Sequence, residues 1–534
     1  MEKIVNAKTV LLATLLLSGC GGGVDTTSSS SQKAGPGSLI SQPVRVLSLG
    51  TQDVAKIAGQ ALLQVTGTPV CGVDIERIEY ATKDGSGGPT TASGVVLMPT
   101  GSNPQCSGPR PVVMYAHGTA ATKAYNLAEI EDPTNEAQLE SSVITAFFAA
   151  QGYIVVAPNY AGYDTSTLSY HPYFNATQEG QEMIHALQAG RTALPELPGG
   201  AHVTDSGKLF VTGYSEGGYV AMAALREMQA ANIPVSAGAP SAGPYALAAF
   251  MDNIFEGQAS VEDAEALPLL STGYQRAYGN VYKNPSDLYT SSYVSGIESL
   301  LPSTTSFSTL VSAGKIPATA LFQSAPTGNA ALDSISPPAT SSTSPGISIA
   351  FGFSPTNYLL STSYREAYLT DAAAHPDGAF ATPPSTPPYA STTASNAFRQ
   401  DLALNDLRHY VPTMPMLMCS GHGDPIAPFE STKLMFNILS TVSPTSKVAE
   451  LDVDPSGPPG TFSSIGFASG QVSTMQNAAA TAQGIFSAIK QQTSSAAVSG
   501  GATDGGDQAV YLAYHAGIES FACFFAIRSF FQQF

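Results

Sequence analysis

The stretch KLFVTGYSEGGYVAMAALREMQAAN, residues 208–232, decides the fold class of this chain. Its first part is a short apolar run typical of a strand buried on both faces, and its second part has the length and apolar spacing of a helix. The two parts meet at Gly213-Tyr214-Ser215-Glu216-Gly217, which matches the pattern G-x-S-x-G. The flanking glycines leave room for a sharp turn that pushes the serine side chain out of the sheet. A glycine-rich turn with a structural or phosphate-binding role is the alternative interpretation.

The surrounding chain repeats this alternation of strand and helix. Short apolar runs predict strands, and longer segments with helical apolar spacing lie between them. The predicted strands span 73–84, 90–101, 110–118, 153–159, 208–215, 414–424 and 448–453, and the predicted helices span about 135–151, 176–194, 216–232 and 518–531. Connections of this length call for right-handed crossovers between parallel strands. The fold class is therefore α/β, with a mostly parallel sheet and helices on both faces.

The alternation stops in a segment that predicts a separate cap. Between residues 245 and 411, Tyr, Ser, Thr and Pro dominate, and the segment contains helix-sized pieces. This segment is too long to be a loop. We therefore expect an inserted cap or lid at 245–411, which divides a core into 41–244 and 412–534. A second excursion from the sheet, rich in Gly and Ser, is expected at about 455–506.

The N-terminus predicts a targeting segment. Lysines precede the apolar run 9–17, which suits a signal peptide but is shorter than the roughly 20 residues that span a bilayer. The run ends in LSGC, residues 17–20, which resembles the lipobox of bacterial lipoproteins. By that resemblance residues 1–19 are cleaved, Cys20 is acylated, and 20–40 form a flexible tether. The chain is then an exported outer-membrane or cell-surface lipoprotein whose acyl chains contact the membrane. An ordinary secretory signal is the alternative.

The charge balance excludes one class of partner. The 534 residues include 40 Asp and Glu against 22 Lys and Arg, which gives a formal charge of -18. This charge repels phosphate backbones and argues against nucleic acid as a partner.

The other four cysteines predict two disulfides. Cys71, Cys106, Cys419 and Cys523 allow three connectivities. Local pairing gives Cys71 with Cys106 and Cys419 with Cys523, whereas cross-pairing or four free thiols would reject this arrangement. None of them lies in a C-x-x-C pair, so no structural zinc site is expected.

The order of motifs resembles the α/β-hydrolase superfamily. His117-Gly118 follows a buried strand, G-x-S-x-G follows another, and the cap, a G-x-x-D at 421–424 and a late histidine come after it. Within that superfamily, GYSEGG and NDLRHYVPTMPMLMCSGHGDPIAP resemble the secretory lipases and their bacterial esterase relatives. The resemblance covers the predicted core from the first hairpin to the C-terminus. It implies an oxyanion hole formed by the amides of Thr119 and Glu216, with His117 as a structural turn residue.

A serine nucleophile needs a histidine base within hydrogen-bond reach. His515 fits the superfamily's order of serine, acid and histidine, and His422 lies close enough to the acid loop to line the site. The other histidines are expected on the surface or on helices: His171, His185, His202, His375 and His409.

The acid that orients this base is predicted to be Asp424. It follows a buried strand and precedes a proline, which stiffens the loop. Asp452 and Asp454 come one strand later and are the runners-up, and Asp406 is expected to be a solvated helix residue. Glu216 is left open as a surface or substrate-contacting side chain.

These residues predict a lipid-anchored serine hydrolase that cleaves carboxylic esters through an acyl-enzyme. Ser215 would attack the carbonyl, His515 would transfer the proton, and Asp424 would hold the imidazolium. The expected substrate is a small-molecule or lipid ester, and no metal or organic cofactor is needed. The alternatives are a serine peptidase of the same fold, a polyester depolymerase and a non-catalytic surface-binding lipoprotein. The peptidase would need an anionic subsite for a substrate amine.

Overall fold

The computed structural model describes residues 35–200, 202–338, 351–377, 393–457 and 462–534. The predicted signal peptide, the lipidation site Cys20 and most of the predicted tether lie outside these residues. They remain predictions.

The described strands form one large sheet and a separate pair. In chain order the strands are β1 (Val44–Leu49), β2 (Gly72–Lys83), β3 (Pro89–Thr100), β4 (Gly108–Ala116), β5 (Ile154–Pro158), β6 (Val203–Tyr214), β7 (Ala237–Ser241), β8 (Ala320–Gln323), β9 (Gly352–Ser354), β10 (Met416–Ser420), β11 (Val448–Asp452) and β12 (Phe462–Ile465). The sheet order is β1-β2-β3-β5-β4-β6-β7-β10-β11-β12, and β8 pairs with β9.

The centre of the large sheet is parallel. Strands β5, β4, β6, β7, β10 and β11 run in one direction, whereas β1, β2, β3 and β12 add antiparallel edges. Every residue of β5, β7, β10 and β11 is buried. Such continuous burial is what a parallel sheet covered by helices on both faces requires.

Helices fill the connections. In chain order they are α1 (Thr51–Thr66), α2 (Gln138–Phe147), α3 (Ala176–Ala193), α4 (Glu216–Ala230), α5 (Leu247–Phe255), α6 (Asp263–Tyr278), α7 (Pro285–Leu288), α8 (Phe307–Ser312), α9 (Ala330–Asp333), α10 (Thr362–Ala374), α11 (Ala397–Leu404), α12 (Phe429–Val442), α13 (Ser469–Ser499), α14 (Asp507–Ala513) and α15 (Ser520–Phe531). Helices α3 and α4 pack against each other, and α1, α2, α13 and α15 form a second packed group. The predicted α/β class is confirmed.

The segment at about 455–506, predicted as a Gly- and Ser-rich excursion from the sheet, contains regular secondary structure. It contains β12 and the 31-residue helix α13. Alanines and two larger apolar side chains, Met475 and Phe486, bury one stripe of this helix. Several hydroxyls on its exposed side bond to carbonyls one turn back, as Ser487 does to Gln483. Those bonds satisfy the Ser and Thr side chains without breaking the helix.

The segment predicted as a cap carries α5 to α11 and the β8–β9 pair. A buried arginine ties its helices together, since Arg399 on α11 bonds to Asp252 on α5 at 2.7 Å and to Asp371 on α10 at 2.8 Å. Helices α5 and α6 contribute side chains to the cavity that contains Ser215.

Both predicted disulfides are present. The Cα atoms of Cys71 and Cys106 are 5.5 Å apart, and those of Cys419 and Cys523 are 5.6 Å apart. The second bridge joins β10 to α15. The helical segment Asp507–Phe531 that contains α15 is long and apolar enough to cross a membrane by length and composition alone, yet 56% of its most apolar window is buried inside the protein.

Candidate active site

Ser215 occupies a strained turn between β6 and α4. Its backbone has φ 62° and ψ -126°, a conformation that residues with a side chain rarely adopt. The Ser215 amide donates to the carbonyl of Ser241 at the end of β7, at 3.1 Å, and the Gly218 amide donates to the Ser215 carbonyl at 2.9 Å. These bonds hold the turn in place and leave the serine side chain at the end of the sheet.

The glycines around Ser215 are required by close packing of backbone. A Cβ on Gly213 would lie 2.1 Å from the carbonyl oxygen of Gly217, and a Cβ on Gly217 would lie 2.0 Å from that of Ala116. A Cβ on Gly218 would lie 2.0 Å from the carbonyl oxygen of Ser241. These carbonyl oxygens belong to neighbouring backbone and cannot move aside, so the turn depends on glycine at each position.

His515 and Asp424 form a buried pair. Nδ1 of His515 lies 2.6 Å from Oδ2 of Asp424. The other oxygen of Asp424 accepts bonds from the amides of Ile426, at 2.8 Å, and Ala427, at 3.2 Å. These two amides fix the carboxylate in the loop after β10. Asp424 therefore holds His515 with Nδ1 turned toward it and Nε2 turned away.

Nε2 of His515 is the nitrogen available for chemistry. It is buried and has no hydrogen-bond partner among the described residues. His515 lies in a π-helical turn, Tyr514–Glu519, between α14 and α15. The Tyr214 hydroxyl donates to the carbonyl of His515 at 2.7 Å, which links the histidine to the residue before Ser215. A single unpartnered nitrogen beside a serine is the arrangement of a general base.

The environment of His515 raises its pKa above the ordinary value. Burial lowers the pKa, but the charge of Asp424, the hydrogen bond to that carboxylate and the charge of Glu262 outweigh burial. The imidazolium that would form when Nε2 takes a proton is therefore stabilised in place.

The other candidate acids have partners of their own. Asp452 accepts a hydrogen bond from Nδ1 of His422 at 2.9 Å, and Asp454 accepts one from the Tyr514 hydroxyl at 2.7 Å. Asp406 is buried and forms an ion pair with Arg408, so it is not the solvated residue that the sequence predicted. The structure brings only Asp424, of these candidates in the described chain, within hydrogen-bond distance of His515.

The loop after β4 brings Thr119 next to Ser215. A Cβ placed on the neighbouring Gly118 would lie 3.7 Å from the Cβ of Ser215. In the described parts of the chain, neither the Thr119 amide nor the Glu216 amide donates a hydrogen bond. Two free amides at this position, one of them at a helix start, can bind a negatively charged oxygen.

His171 is not the surface or helix residue that the sequence predicted. It is 1% exposed, and its Nε2 lies 2.7 Å from Oε1 of Glu216. Its Nδ1 lies 3.0 Å from the carbonyl oxygen of Ala161. Glu216, which the sequence left open, thus points into the protein and is also 1% exposed. No local pattern marks His171, because it lies in an irregular loop 45 residues before its partner.

Buried carboxyl groups around His171 are unusual in their pKa. Glu179 is fully buried, and burial together with the charge of Glu216 raises its pKa well above the ordinary value. The raised pKa favours the neutral form of Glu179 beside the carboxyl group of Glu216. His117, stacked between Tyr125 and Tyr160, has its pKa lowered to about 4 by burial and is a neutral structural residue.

Two cavities meet at Ser215. The first is lined mainly by apolar side chains, including Met251 and Ile254 of α5 and Leu267 and Leu270 of α6. The second, of about 210 Å³, contains His515 together with Leu139, Phe524 and the carboxyl-bearing residues Glu136 and Glu262. Ser215, Thr119 and Glu262 line both cavities. His422 lines a separate open depression rather than these cavities.

Among the residues that the structure describes, two clusters have the side chains to hold a metal ion. They are His171 with Glu179 and Glu216, and His515 with Asp424 and Glu519. Within each cluster the ligand atoms lie within 4.8 Å of one another. In both, the histidine already forms a hydrogen bond to a carboxylate, at 2.7 Å and 2.6 Å.

Comparison with known proteins agrees with this architecture. Residues 140–255, which include Ser215, match the prolyl oligopeptidase family. No curated protein matches the chain. The rice cell wall degrading esterase LipA from Xanthomonas oryzae is 25% identical, with a TM-score of 0.60 over 78% of this chain and 91% of that one. A Legionella pneumophila protein assigned to the hydrolases is 18% identical, with a TM-score of 0.55 over 76% of this chain and 89% of that one.

The sheet order, the serine turn and these similarities establish an α/β-hydrolase fold, so the resemblance drawn from the sequence is confirmed. The same findings support a serine hydrolase of the α/β-hydrolase type.

Proposed function

We propose that this α/β-hydrolase is a carboxylic ester hydrolase that works through an acyl-enzyme on Ser215. The observation that carries the proposal is the pairing of His515 with Asp424 at 2.6 Å, in a cavity that His515 shares with Ser215. A buried histidine with one nitrogen held by a carboxylate and the other unpartnered is suited to take the serine proton.

The reaction follows from these positions. Oγ of Ser215 attacks the ester carbonyl while its proton passes to Nε2 of His515, and Asp424 stabilises the imidazolium. The amides of Thr119 and Glu216 bind the negative oxygen of the tetrahedral intermediate. The intermediate collapses, and the alkoxide leaves with the proton of His515. Water then attacks the acyl-enzyme by the same steps and releases the acid and free Ser215.

The first cavity suits the acyl chain. Its lining is mostly apolar and comes from α5 and α6 of the cap, so an alkyl chain bound there would leave water. The second cavity, which contains His515, then receives the alcohol, since the leaving oxygen must accept a proton from Nε2. A medium-chain ester is favoured over an acetate ester because it fills the apolar cavity. The similarity to an esterase supports this substrate class.

A serine peptidase is the second candidate, and one observation favours it. Glu136 and Glu262 line the cavity beside His515, and charged carboxylates there would attract a substrate ammonium group. The match to the prolyl oligopeptidase family points in the same direction. Burial raises the pKa of Glu262, however, which disfavours its charged form.

The location of the enzyme is a further part of the proposal. The lipobox-like LSGC at 17–20 supports export and acylation at Cys20, and the acidic, sparsely charged composition is compatible with an extracellular protein. A tether would then hold the catalytic core near the outer membrane or the cell surface.

One experiment separates these functions. The purified enzyme is labelled with an active-site fluorophosphonate and assayed on p-nitrophenyl esters from acetate to dodecanoate and on aminoacyl p-nitroanilides. An esterase labels at Ser215 and turns over a medium-chain ester fastest. Faster turnover of the aminoacyl amides would establish the peptidase. A folded protein that neither labels nor hydrolyses would be a non-catalytic binding protein.

A further inference from the structure

A single loop contacts both residues that would form the oxyanion hole. We call residues 160–174, between β5 and α3, the clamp loop. The hydroxyl of Tyr173 lies 2.8 Å from Oγ1 of Thr119. At the other donor, Nε2 of His171 lies 2.7 Å from the carboxylate of Glu216. Thr119 and Glu216 lie on different elements, yet their side chains end on residues two positions apart in one loop.

The clamp loop also fixes the backbone on both sides of Thr119. The Tyr160 hydroxyl donates to the carbonyl of His117 at 3.1 Å, and the Tyr163 hydroxyl donates to the carbonyl of Ala120 at 2.6 Å. These two bonds bracket the Thr119 amide. Its direction is therefore set by side chains of the clamp loop rather than by β4 alone.

The loop is held in a defined shape. Tyr160, Asp164 and Phe174 have φ values of 60°, 44° and 54°, which side-chain-bearing residues adopt only when their surroundings impose it. Nζ of Lys123 donates to three carbonyls of the loop, those of Gly162, Ser166 and Leu168, at 2.5 to 3.2 Å. Backbone strain that is maintained by buried hydrogen bonds is common at functional sites.

We propose that the clamp loop is the positioning device of the oxyanion hole, with Tyr173 acting through Thr119 and His171 acting through Glu216. This inference rests on the proposed ester hydrolysis and adds positioning residues to it. His171 does not line either cavity at Ser215, whereas Tyr173 lines the first one, where its hydroxyl meets Oγ1 of Thr119. Each one holds a residue whose amide must lie about 2.7–3.1 Å from the oxyanion.

The physical reason is the sharp dependence of transition-state stabilisation on position. Loss of one oxyanion donor costs on the order of 10²- to 10³-fold in kcat. A donor displaced by a fraction of an ångström keeps part of its effect. We therefore expect Tyr173→Phe to lower kcat by about 10-fold while KM stays unchanged, because the ground state depends less on these amides.

Double-mutant cycles test the proposal on the full-length enzyme. Tyr173→Phe, Thr119→Val and the double variant are compared in kcat and KM on a p-nitrophenyl ester and in the rate of fluorophosphonate labelling. If Tyr173 acts only through Thr119 Oγ1, the kcat of the double variant equals that of the less active single variant, about 10-fold below wild type. His171→Asn and Glu216→Gln form the second cycle. A general loss of stability would lower the amount of folded enzyme but would not produce this non-additivity.

Tyr410→Phe is the matched control. It removes a buried hydroxyl that donates to Sδ of Met414 at 3.2 Å, outside the clamp loop, and is expected to keep wild-type kcat. An additive double variant, at about 100-fold, would overturn the proposal, as would an unchanged kcat in Tyr173→Phe. If His171→Asn does not fold, the Tyr173–Thr119 cycle decides the test, because Tyr→Phe and Thr→Val are nearly isosteric substitutions. A wild type that hydrolyses no ester and does not label would instead overturn the proposed function, and the positioning role with it.

Discussion

The sharpest perturbation of the site is Asp424→Asn, because it changes one atom and leaves the loop intact. Oδ1 of Asp424 accepts bonds from the amides of Ile426 and Ala427 at 2.8 and 3.2 Å. An asparagine keeps those bonds only with its carbonyl oxygen in that place. Its NH₂ group then faces Nδ1 of His515, where the carboxylate oxygen had been at 2.6 Å.

This exchange reverses the tautomer of His515. Nδ1 must now accept a hydrogen bond from the NH₂ group, so the remaining ring proton moves to Nε2. A protonated Nε2 cannot take the proton of Ser215, and the carboxylate that stabilised the imidazolium is gone. The corresponding change in a well-studied serine protease costs about 10⁴-fold in kcat, and we expect a loss of the same order here.

The pH dependence gives a second readout. In the wild type the environment raises the pKa of His515 above 6.5, and the base works only when neutral, so kcat/KM should fall on the acid side with a midpoint above that value. Removal of the Asp424 charge lowers this pKa and moves the midpoint to lower pH.

The raised folded-state pKa of His515 also stabilises the protein below the unfolded pKa of about 6.5, and this contribution disappears as pH rises through the folded pKa. Asp424→Asn should therefore destabilise the protein more at pH 5 than at pH 9.

The assay is hydrolysis of a p-nitrophenyl ester from pH 5 to 9, with thermal unfolding measured at both ends. Asp452→Asn is the matched control, since Asp452 forms an equivalent pair with His422 at 2.9 Å outside the catalytic cavity. It should keep kcat within a few-fold. More than a tenth of wild-type kcat in Asp424→Asn, or an equal loss in Asp452→Asn, would refute the reasoning.

Four other predictions address the nucleophile, the disulfide, the anchor and the acyl cavity. Ser215→Ala should lose on the order of 10⁴-fold in kcat without a change in Tm, and a residual activity above one tenth would assign the nucleophile elsewhere. Replacement of Cys419 and Cys523 by serine should lower the free energy of unfolding by about 2–4 kcal/mol in urea titrations; an unchanged midpoint would mean that the bond does not form in solution. Cys20→Ser should move the protein from the membrane fraction to a soluble one or leave its signal uncleaved, and an acylated, membrane-bound variant would contradict the lipobox. Leu270→Phe should narrow the apolar cavity and lower kcat/KM on medium-chain p-nitrophenyl esters by roughly 10-fold relative to shorter ones. An unchanged chain-length profile would place the acyl group in the other cavity.

Local sequence was enough to predict most of the sheet because its strands are buried on both faces. The runs at 153–159 and 414–424 contain β5 and β10, with the ends shortened by a few residues. Strand β1 and helix α1 were not predicted, since β1 lies at the sheet edge and is largely exposed, and α1 contains a non-helical Gly59. Helix α13 was missed for a different reason. Its Ser, Gly and Gln content resembles a loop, and what stabilises it is a buried stripe that only the fold supplies.

The residues of the proposed site also differ in how far the sequence alone predicts them. Ser215, Asp424 and His515 follow strands or precede a helix, so a motif and a chain order place them without knowledge of side-chain contacts. His171 and Tyr173 carry no such mark, because their importance arises from what they reach across the fold rather than from the element they lie on. The histidine lies in an irregular loop and contacts Glu216, 45 residues later, inside the protein. A carboxyl side chain immediately after the proposed nucleophile could have raised the question, since a buried polar group without a partner is costly. The choice of His171 as the partner depends on the path of residues 160–174. That path includes three side-chain-bearing residues with positive φ and is held by the bonds of Lys123. The proposed catalytic side chains could therefore be predicted from a motif and the order of residues along the chain, whereas the side chains proposed to orient the oxyanion amides could be identified only from the fold.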